Sequence, residues 1–210
     1  MTVLSQICVV AALLGAFSSS TEEHFDAFGY RWTVPTASDW QLEQKDATPV
    51  LHLLRARGPL PGPRRPIQFA LAETPEFSRV SVELDARPLG HSLLVVFAYR
   101  DHEHFDYAHL SIDPATKEPH HNGVFHVYGG ERVRISGEAG SAAFAAPNRW
   151  YHVQLIHDGS SGDVRVKVNG EPIQALHAAD LSLSGGRVGI GSFDETGYFK
   201  NVQIHGVAVP

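Results

Sequence analysis

Cysteine is almost missing from this sequence, whose 210 residues contain only Cys8. That residue lies in an apolar run from Ile7 to Phe17, which is followed by Ser18-Ser19-Ser20. A chain cut after these serines has no cysteine, which excludes disulfides and zinc–thiolate sites and leaves packing alone to hold the fold. An exported protein of this size without disulfides is typical of a bacterial periplasm or cell exterior.

The apolar run is also short. At eleven residues it falls below the roughly 20 of a membrane-spanning helix and fits the ~7 to 15 of a secretory apolar segment. We therefore expect residues 1–20 to be a signal peptide, residues 21–210 to form one domain, and the mature protein to be secreted or periplasmic and free of the membrane. Residues 1–6 carry no Lys or Arg, so a buried N-terminal strand or helix stays as the alternative.

Basic clusters and familiar catalytic motifs are missing as well. The formal net charge is −6, and Arg64-Arg65 is the only pair of adjacent basic residues. Nucleic-acid-binding proteins concentrate such charge, so nucleic acid is not an expected partner. The sequence has no Gly-x-Ser-x-Gly, phosphate loop, dinucleotide fingerprint or His-Glu-x-x-His, which argues against the corresponding enzyme classes.

After the apolar run, no span of ten or more residues keeps a helical period. From Phe77 to Leu84, by contrast, apolar side chains alternate with polar ones, which is typical of a strand with one buried face. Asn169-Gly170 is the strongest hairpin signal, since both positions of a type I′ turn need positive φ. About a dozen such short strands predict an all-β, antiparallel β-sandwich or jelly roll.

The C-terminal sixty residues carry a characteristic order: NRWYHVQLIHDGSSGDVRVKVNGEPI, then SGGRVGIGSFDETGYFKNVQIHG. Together with the upstream FAYRD and FDY, this order resembles the concanavalin A-like lectin/glucanase superfamily, particularly its laminin-G-like and 3-keto-disaccharide hydrolase-type domains. The resemblance runs from Tyr30 to Gly206 and implies a concanavalin A-like jelly roll with a poly- or oligosaccharide partner. It also implies that Trp150 packs the core near a sheet edge, with sugar stacking as the alternative.

In the laminarinase branch of that superfamily, catalysis rests on a strand bearing Glu-x-Asp-x-x-Glu. Glu83 and Asp85 match the first two carboxylates, but Pro88 stands where the third belongs. A retaining glycosidase needs two carboxyl groups about 5 to 5.5 Å apart. We therefore expect Glu83 and Asp85 to lie on an exposed strand face.

The stretch from Leu93 to Tyr128 concentrates histidine, tyrosine and aspartate. Alternation along the predicted strand from His104 to Ile112 places Phe105, Tyr107 and His109 on one face, where they could line a sugar-binding groove or belong to the core. For acid–base catalysis the candidates are Tyr107, His109 and His121. The candidates for substrate binding are Tyr99, Arg100, Asp101, His104, Asn122 and Tyr128.

Metal binding is weakly indicated. His120-His121-Asn122 could meet Asp101, His102 or His104 across the hairpin ends, but the spacing matches no established metal motif. We therefore interpret these as solvated loop histidines and predict no metal there. Asp194-Glu195 could offer oxygens to calcium. Because calcium takes about 6 to 8 oxygens, a calcium cofactor is left open.

Three functions follow. The first is an exported glycan-binding module or carbohydrate-processing protein. The second is a glycoside hydrolase or polysaccharide lyase that uses histidine and tyrosine as acid and base. The third is a non-catalytic protein-interaction domain. One fold hosts all of these activities, so the site must separate them.

Overall fold

A computed structural model describes residues 22–45, 47–58 and 62–209. The expected signal peptide, residues 1–20, lies outside the described residues. One short 3₁₀ helix, Ala37–Asp39, is present. Within the described part of the chain, no helix is long and apolar enough to cross a membrane.

The described residues otherwise form strands joined by turns and loops. In chain order the strands are β1 (Glu23–Ala27), β2 (Tyr30–Val34), β3 (Trp40–Lys45), β4 (Thr48–Leu53), β5 (Gln68–Ala72), β6 (Phe77–Pro88), β7 (Ser92–Asp101), β8 (His104–Ser111), β9 (Gly123–Tyr128), β10 (Val133–Arg134), β11 (Tyr151–Asp158), β12 (Asp163–Val168), β13 (Glu171–Ala179), β14 (Arg187–Ser192) and β15 (Gly197–Ala208).

These strands form two antiparallel sheets. The eight-stranded sheet has the order β1-β2-β5-β14-β7-β8-β9-β10, and the seven-stranded sheet has the order β13-β12-β11-β6-β15-β4-β3. Strands distant in sequence are neighbours in both, such as β5 beside β14 and β6 beside β15. The prediction of an all-β, antiparallel sandwich is confirmed.

The main core lies between the inner faces of the two sheets. On β6, Val80, Val82 and Leu84 point inward and are buried, while Arg79 and Glu83 alternate with them on the outer face. This period of two is the one that the sequence predicts, and it arises because successive side chains of a strand point to opposite faces.

Two predicted hairpins are present. Asn169 and Gly170 have φ of 52° and 86° and connect β12 to β13, as a type I′ turn requires. Asp101 pairs with His104 where β7 turns into β8. The second turn joins β7 and β8, two of the strands that carry the candidate site.

Candidate functional site

A bulge in β7 decides which way Tyr99 faces. Val95 and Phe97 point into the main core, so regular alternation would send residue 99 inward too. Instead, Ala98 has φ of 48°, and the pairing of β7 with β8 shifts between Phe97 and Asp101. The extra residue turns Tyr99 to the outer face of the eight-stranded sheet, where it packs against other aromatic rings.

A cavity of about 510 Å³ opens beside Tyr99 on that outer face. Phe69 and Phe105 lie with Tyr99 in its wall, and their ring centroids are each 5.8 Å from that of Tyr99. Its lining residues are Glu22, Thr33, Val34, Pro35, Arg65, Pro66, Ile67, Phe69, Leu71, Tyr99, His102 and Phe105. We call this the Tyr99 cavity.

Polar groups stand around these rings. The Arg65 guanidinium lies 3.4 Å from a carboxylate oxygen of Glu103. Its other terminal nitrogen, Nη1, is buried and donates to no acceptor among the described residues. Burial raises the pKa of Tyr99 above its ordinary value, so its hydroxyl stays protonated and able to donate. An apolar floor with a few donors at its edge is the usual composition of a small-ligand site.

Tyr107 and Phe125 lie beyond the cavity wall, in the rest of the outer aromatic cluster, which we define as Phe69, Phe105, Tyr107, Phe125 and Phe193. Tyr107 is fully buried and stacks on Phe125 at 5.3 Å. The Arg132 guanidinium covers the Phe193 ring at 4.3 Å and donates to the Tyr107 hydroxyl at 3.4 Å. Burial also holds the pKa of Tyr107 far above its usual range. Tyr107 is therefore a packed aromatic side chain of this cluster.

His109 is buried in the same layer, with 2% of its surface exposed. Its Nδ1 donates to the carbonyl of His120 at 3.1 Å, so its Nε2 accepts from the Ser92 hydroxyl at 2.8 Å. Burial lowers the pKa of His109 to about 3. The ring is therefore neutral near pH 7 and satisfied on both nitrogens, as the core alternative anticipates.

The structure excludes the meeting of His120-His121-Asn122 with the Asp101 turn that the sequence left open. His109 pairs with Gly123, and His104 pairs with Tyr128, so the loop before β9 lies at the far end of β8 from Asp101. Seven residues of strand separate the two ends by roughly 23 Å. His121 instead lies 3.4 Å from the Ser111 hydroxyl, and burial lowers its pKa.

The other predicted binding residues do not line the Tyr99 cavity. Asn122 is buried, and its side chain bonds the backbone of Ser141 and Ala143. Arg100 donates to the Gly185 carbonyl at 3.3 Å. Tyr128, which is 60% exposed, has its ring edge against another candidate, His104.

Asp101 is held in its own turn. It accepts from the backbone nitrogen of Glu103 at 2.8 Å and from His104 at 2.8 Å. The Glu103 hydrogen bond, ahead of the one from His104, lowers the pKa of Asp101. Of the six candidates for substrate binding, Tyr99 alone is among the residues that line the cavity.

Sequence reasoning missed Arg65 and Phe69. Phe69 lies on β5, and Arg65 lies in the loop just before it. Both reach the cavity beside Tyr99 of β7 because only β14 separates β5 from β7 in the sheet. No periodic signal in the sequence reports this neighbourhood. Gly-Pro-rich sequence around Arg65 predicts only a loop.

A second cavity, of about 440 Å³, lies on the outer face of the seven-stranded sheet and is lined by Glu83, Asp85, His152 and Asn201, among others. Asp85 accepts from Asn201 at 2.8 Å and lies 3.1 Å from His152 Nδ1. Glu83 accepts from Gln154 at 2.8 Å. Both carboxylates lie on the outer face, as expected.

The expectation that Trp150 packs the core is wrong. Its half-buried ring lies outside the set of buried core residues and carries the Lys200 ammonium 4.4 Å above it. Arg87, on the neighbouring β6, stands 5.9 Å from the same ring. The Trp150 ring therefore lies at the surface, close to two cationic side chains.

The carboxylates proposed for calcium are used otherwise. Glu195 accepts a short hydrogen bond from the backbone nitrogen of Ser92, and Asp194 is exposed. In the described part of the chain, neither belongs to a group of three ligand side chains. The one such group, Asp106, His126 and Asp180, lies elsewhere.

Comparison with known proteins yields structural neighbours only. No family model and no curated protein sequence matches the chain. The carbohydrate-binding module CBM66 from Bacillus subtilis has a TM-score of 0.57 at 16% identity, over 79% of this chain and 91% of that one. A Parabacteroides distasonis protein provisionally described as a glycosyl hydrolase has a TM-score of 0.54 at 14% identity, over 82% and 92%.

A third neighbour is a Bacillus subtilis protein with a galectin-like fold, which has a TM-score of 0.50 at 17% identity, over 81% of this chain and 88% of its own. At such identities the likeness concerns the fold alone. The structure of this chain is thus a jelly-roll β-sandwich, and the predicted fold class is confirmed.

Proposed function

We propose that this protein binds carbohydrate in the Tyr99 cavity. One observation carries the proposal: three aromatic side chains, Phe69, Tyr99 and Phe105, line an open cavity together with the guanidinium-bearing Arg65. Aromatic faces stack on the apolar side of a pyranose, and free donors bind its oxygens.

Binding is favoured over acid–base catalysis by where the strongly shifted groups lie. Tyr107 and His109 have strongly displaced pKa values, yet neither lines either of the two cavities described above. A catalytic acid or base has to reach the reacting atoms. A cavity whose wall holds a half-buried tyrosine ring, Tyr99, is instead what a binding module presents.

The structural neighbours support the same class of ligand. One of them is a carbohydrate-binding module and another is provisionally described as a glycosyl hydrolase.

We infer in addition that the protein acts outside the cytoplasm, on the strength of the apolar run at residues 7–17. The glycan would then be an extracellular or periplasmic polymer.

The test is a glycan array followed by titration calorimetry on the selected glycan. Tyr99→Leu keeps apolar bulk but removes the ring, and is expected to weaken binding about fivefold or more, since stacking of a nucleic-acid base on one aromatic ring is worth roughly 1 to 3 kcal/mol and a sugar ring offers a comparable face. Trp150→Leu removes a ring from the other sheet and serves as the control. Loss of binding in the Trp150 variant alone would move the site to the seven-stranded sheet.

A hydrolase is the second candidate, because Glu83, Asp85 and His152 meet in one open cavity. Glu83 and Asp85 are two residues apart on β6, so both carboxylates lie on the same outer face, and paired carboxyl groups are the catalytic groups of most glycoside hydrolases. Polysaccharide depolymerisation by the wild type that Asp85→Asn abolishes, with glycan binding retained, would establish this activity. Depolymerisation that Asp85→Asn leaves intact would exclude this cavity as its site.

A further inference from the structure

Three ligand-type side chains meet where the edges of the two sheets come together. Asp106 on β8 and His126 on β9 are directly opposed in the strand register. Asp180 directly follows β13, the edge strand of the other sheet. His126 Nδ1 lies 2.6 Å from an oxygen of Asp106 and 3.4 Å from Oδ2 of Asp180.

The charges of this group are unbalanced. Two carboxylates face one imidazole, and no Lys or Arg of the described residues forms an ion pair with either carboxylate. The side chain of Asp106 is only 2% exposed, and the buried Oδ2 of Asp180 accepts no hydrogen bond from any described residue. Carboxylates removed from water need a compensating cation.

We infer that Asp106, His126 and Asp180 form a binding site for a divalent metal ion of the zinc type. Zinc takes imidazole nitrogen and carboxylate oxygen at about 2.0 to 2.2 Å, and three protein ligands with a water complete its tetrahedron. Ligand atoms of such a tetrahedron lie roughly 3.3 Å apart. The Asp180 distance already matches this value, and the Asp106 pair has to open by less than about 1 Å.

The surroundings orient these ligands. The other oxygen of Asp180, Oδ1, accepts from the backbone nitrogen and hydroxyl of Ser182 at 3.2 and 2.8 Å, which leaves Oδ2 directed at His126. The ring of Tyr128 stacks on His126 at 5.4 Å. Outer contacts of this kind fix the orientation of metal ligands.

A bound ion would join the two sheets, because two ligands come from β8 and β9 and the third follows β13. Since the unfolded chain does not hold the three ligands together, binding should raise the temperature of unfolding. Calcium does not fit the site, because it takes about 6 to 8 oxygen ligands. The inference does not depend on carbohydrate binding.

The test uses the full chain, freed of any histidine tag and stripped with a chelator. Calorimetric titration with Zn²⁺ should give one site per chain, and Zn²⁺ should raise the unfolding temperature. Asp180→Asn and His126→Gln should each weaken this binding about tenfold or more and remove the thermal shift. Co²⁺ should give a visible absorption band in the wild type that both variants lose.

His177→Gln is the matched control, because His177 also faces an aspartate, Asp163, at 3.1 Å but belongs to no group of three ligand side chains among the described residues. It should bind Zn²⁺ like the wild type. Circular dichroism in chelator shows whether each variant is folded. The inference would be overturned if Zn²⁺ did not bind, or if Zn²⁺ binding survived unchanged in folded Asp180→Asn. A proton shared between the side chains would then be the compensating charge. Ca²⁺ binding as strong as Zn²⁺ binding would also overturn the inference.

Discussion

Gly186 lies so close to Ala98 that a Cβ on residue 186 would come within 2.5 Å of the Ala98 carbonyl carbon. The same Cβ would lie 2.5 Å from the carbonyl oxygen of Tyr99. Both contacts are with backbone atoms, which cannot rotate away. The bulge that directs Tyr99 to the outer face therefore depends on a glycine on the adjoining segment of chain.

Gly186→Ala should lower the free energy of unfolding by about 1 to 3 kcal/mol, the usual cost of forcing atoms into packed space. It should also weaken glycan binding, because the backbone that carries Tyr99 has to shift. Urea unfolding and calorimetry measure the two effects. Gly130→Ala is the control, since a Cβ there meets no atom within 4 Å, and equal stability of the two variants would contradict the account.

His109 should make stability depend on pH. The native ring has a pKa of about 3 against 6.5 for the ordinary imidazole, so below pH 6.5 the unfolded chain takes up a proton that the native protein does not. Stability is thus lost as the pH falls from 6.5 towards 3, at up to about 1.4 kcal/mol per pH unit. Between pH 7 and pH 5 the loss from this residue is about 2 kcal/mol.

Urea unfolding at those two pH values measures this loss. His109→Gln keeps a side chain able to donate and accept but cannot take up the proton, so its loss should be smaller than that of the wild type by about 2 kcal/mol. The other histidines should contribute equally to the pH-dependent loss of stability in the wild type and in the variant. An identical loss in both would show that His109 is protonated in the native state.

Tyr107→Phe should leave carbohydrate binding unchanged, because the hydroxyl is buried and makes one long hydrogen bond with Arg132. The free energy of unfolding should change by no more than about 1 kcal/mol. Calorimetry with the glycan selected on the array provides the measurement. A specific loss of polysaccharide turnover in this variant would restore Tyr107 as a catalytic candidate.

Arg65 should favour glycans that carry a carboxylate, because Arg65 lines the Tyr99 cavity and its ion pair with Glu103 is long, at 3.4 Å. Hydrogen bonds to charged groups are worth roughly 1.5 to 3 kcal/mol, so Arg65→Met should weaken binding of an acidic glycan about tenfold or more. Arg64→Met is the control, since that guanidinium instead lies 5.3 Å over the Phe193 ring. A glycan bound equally well by both variants would mean that Arg65 makes no contact with it.

Much of the fold could be predicted from local pattern. The alternation on β6 and the Asn169-Gly170 turn are properties of neighbouring residues, and both are present. The direction of Tyr99 could not be predicted, because it depends on a positive φ at Ala98, a residue without special preference for that region. The sequence left the position of His109 open between a groove and the core, because the Phe193 ring that packs on His109 comes from a distant segment.

The sequence by itself determined the all-β class and the antiparallel hairpins, because periodicity and turn chemistry act over a few residues. Only the tertiary structure decided which polar side chains share a site. Strand order brings β5 near β7 and the end of β13 to β9, and it separates His121 from Asp101 along one strand. Such neighbourhoods follow from packing two twisted sheets, which no local pattern in the chain encodes.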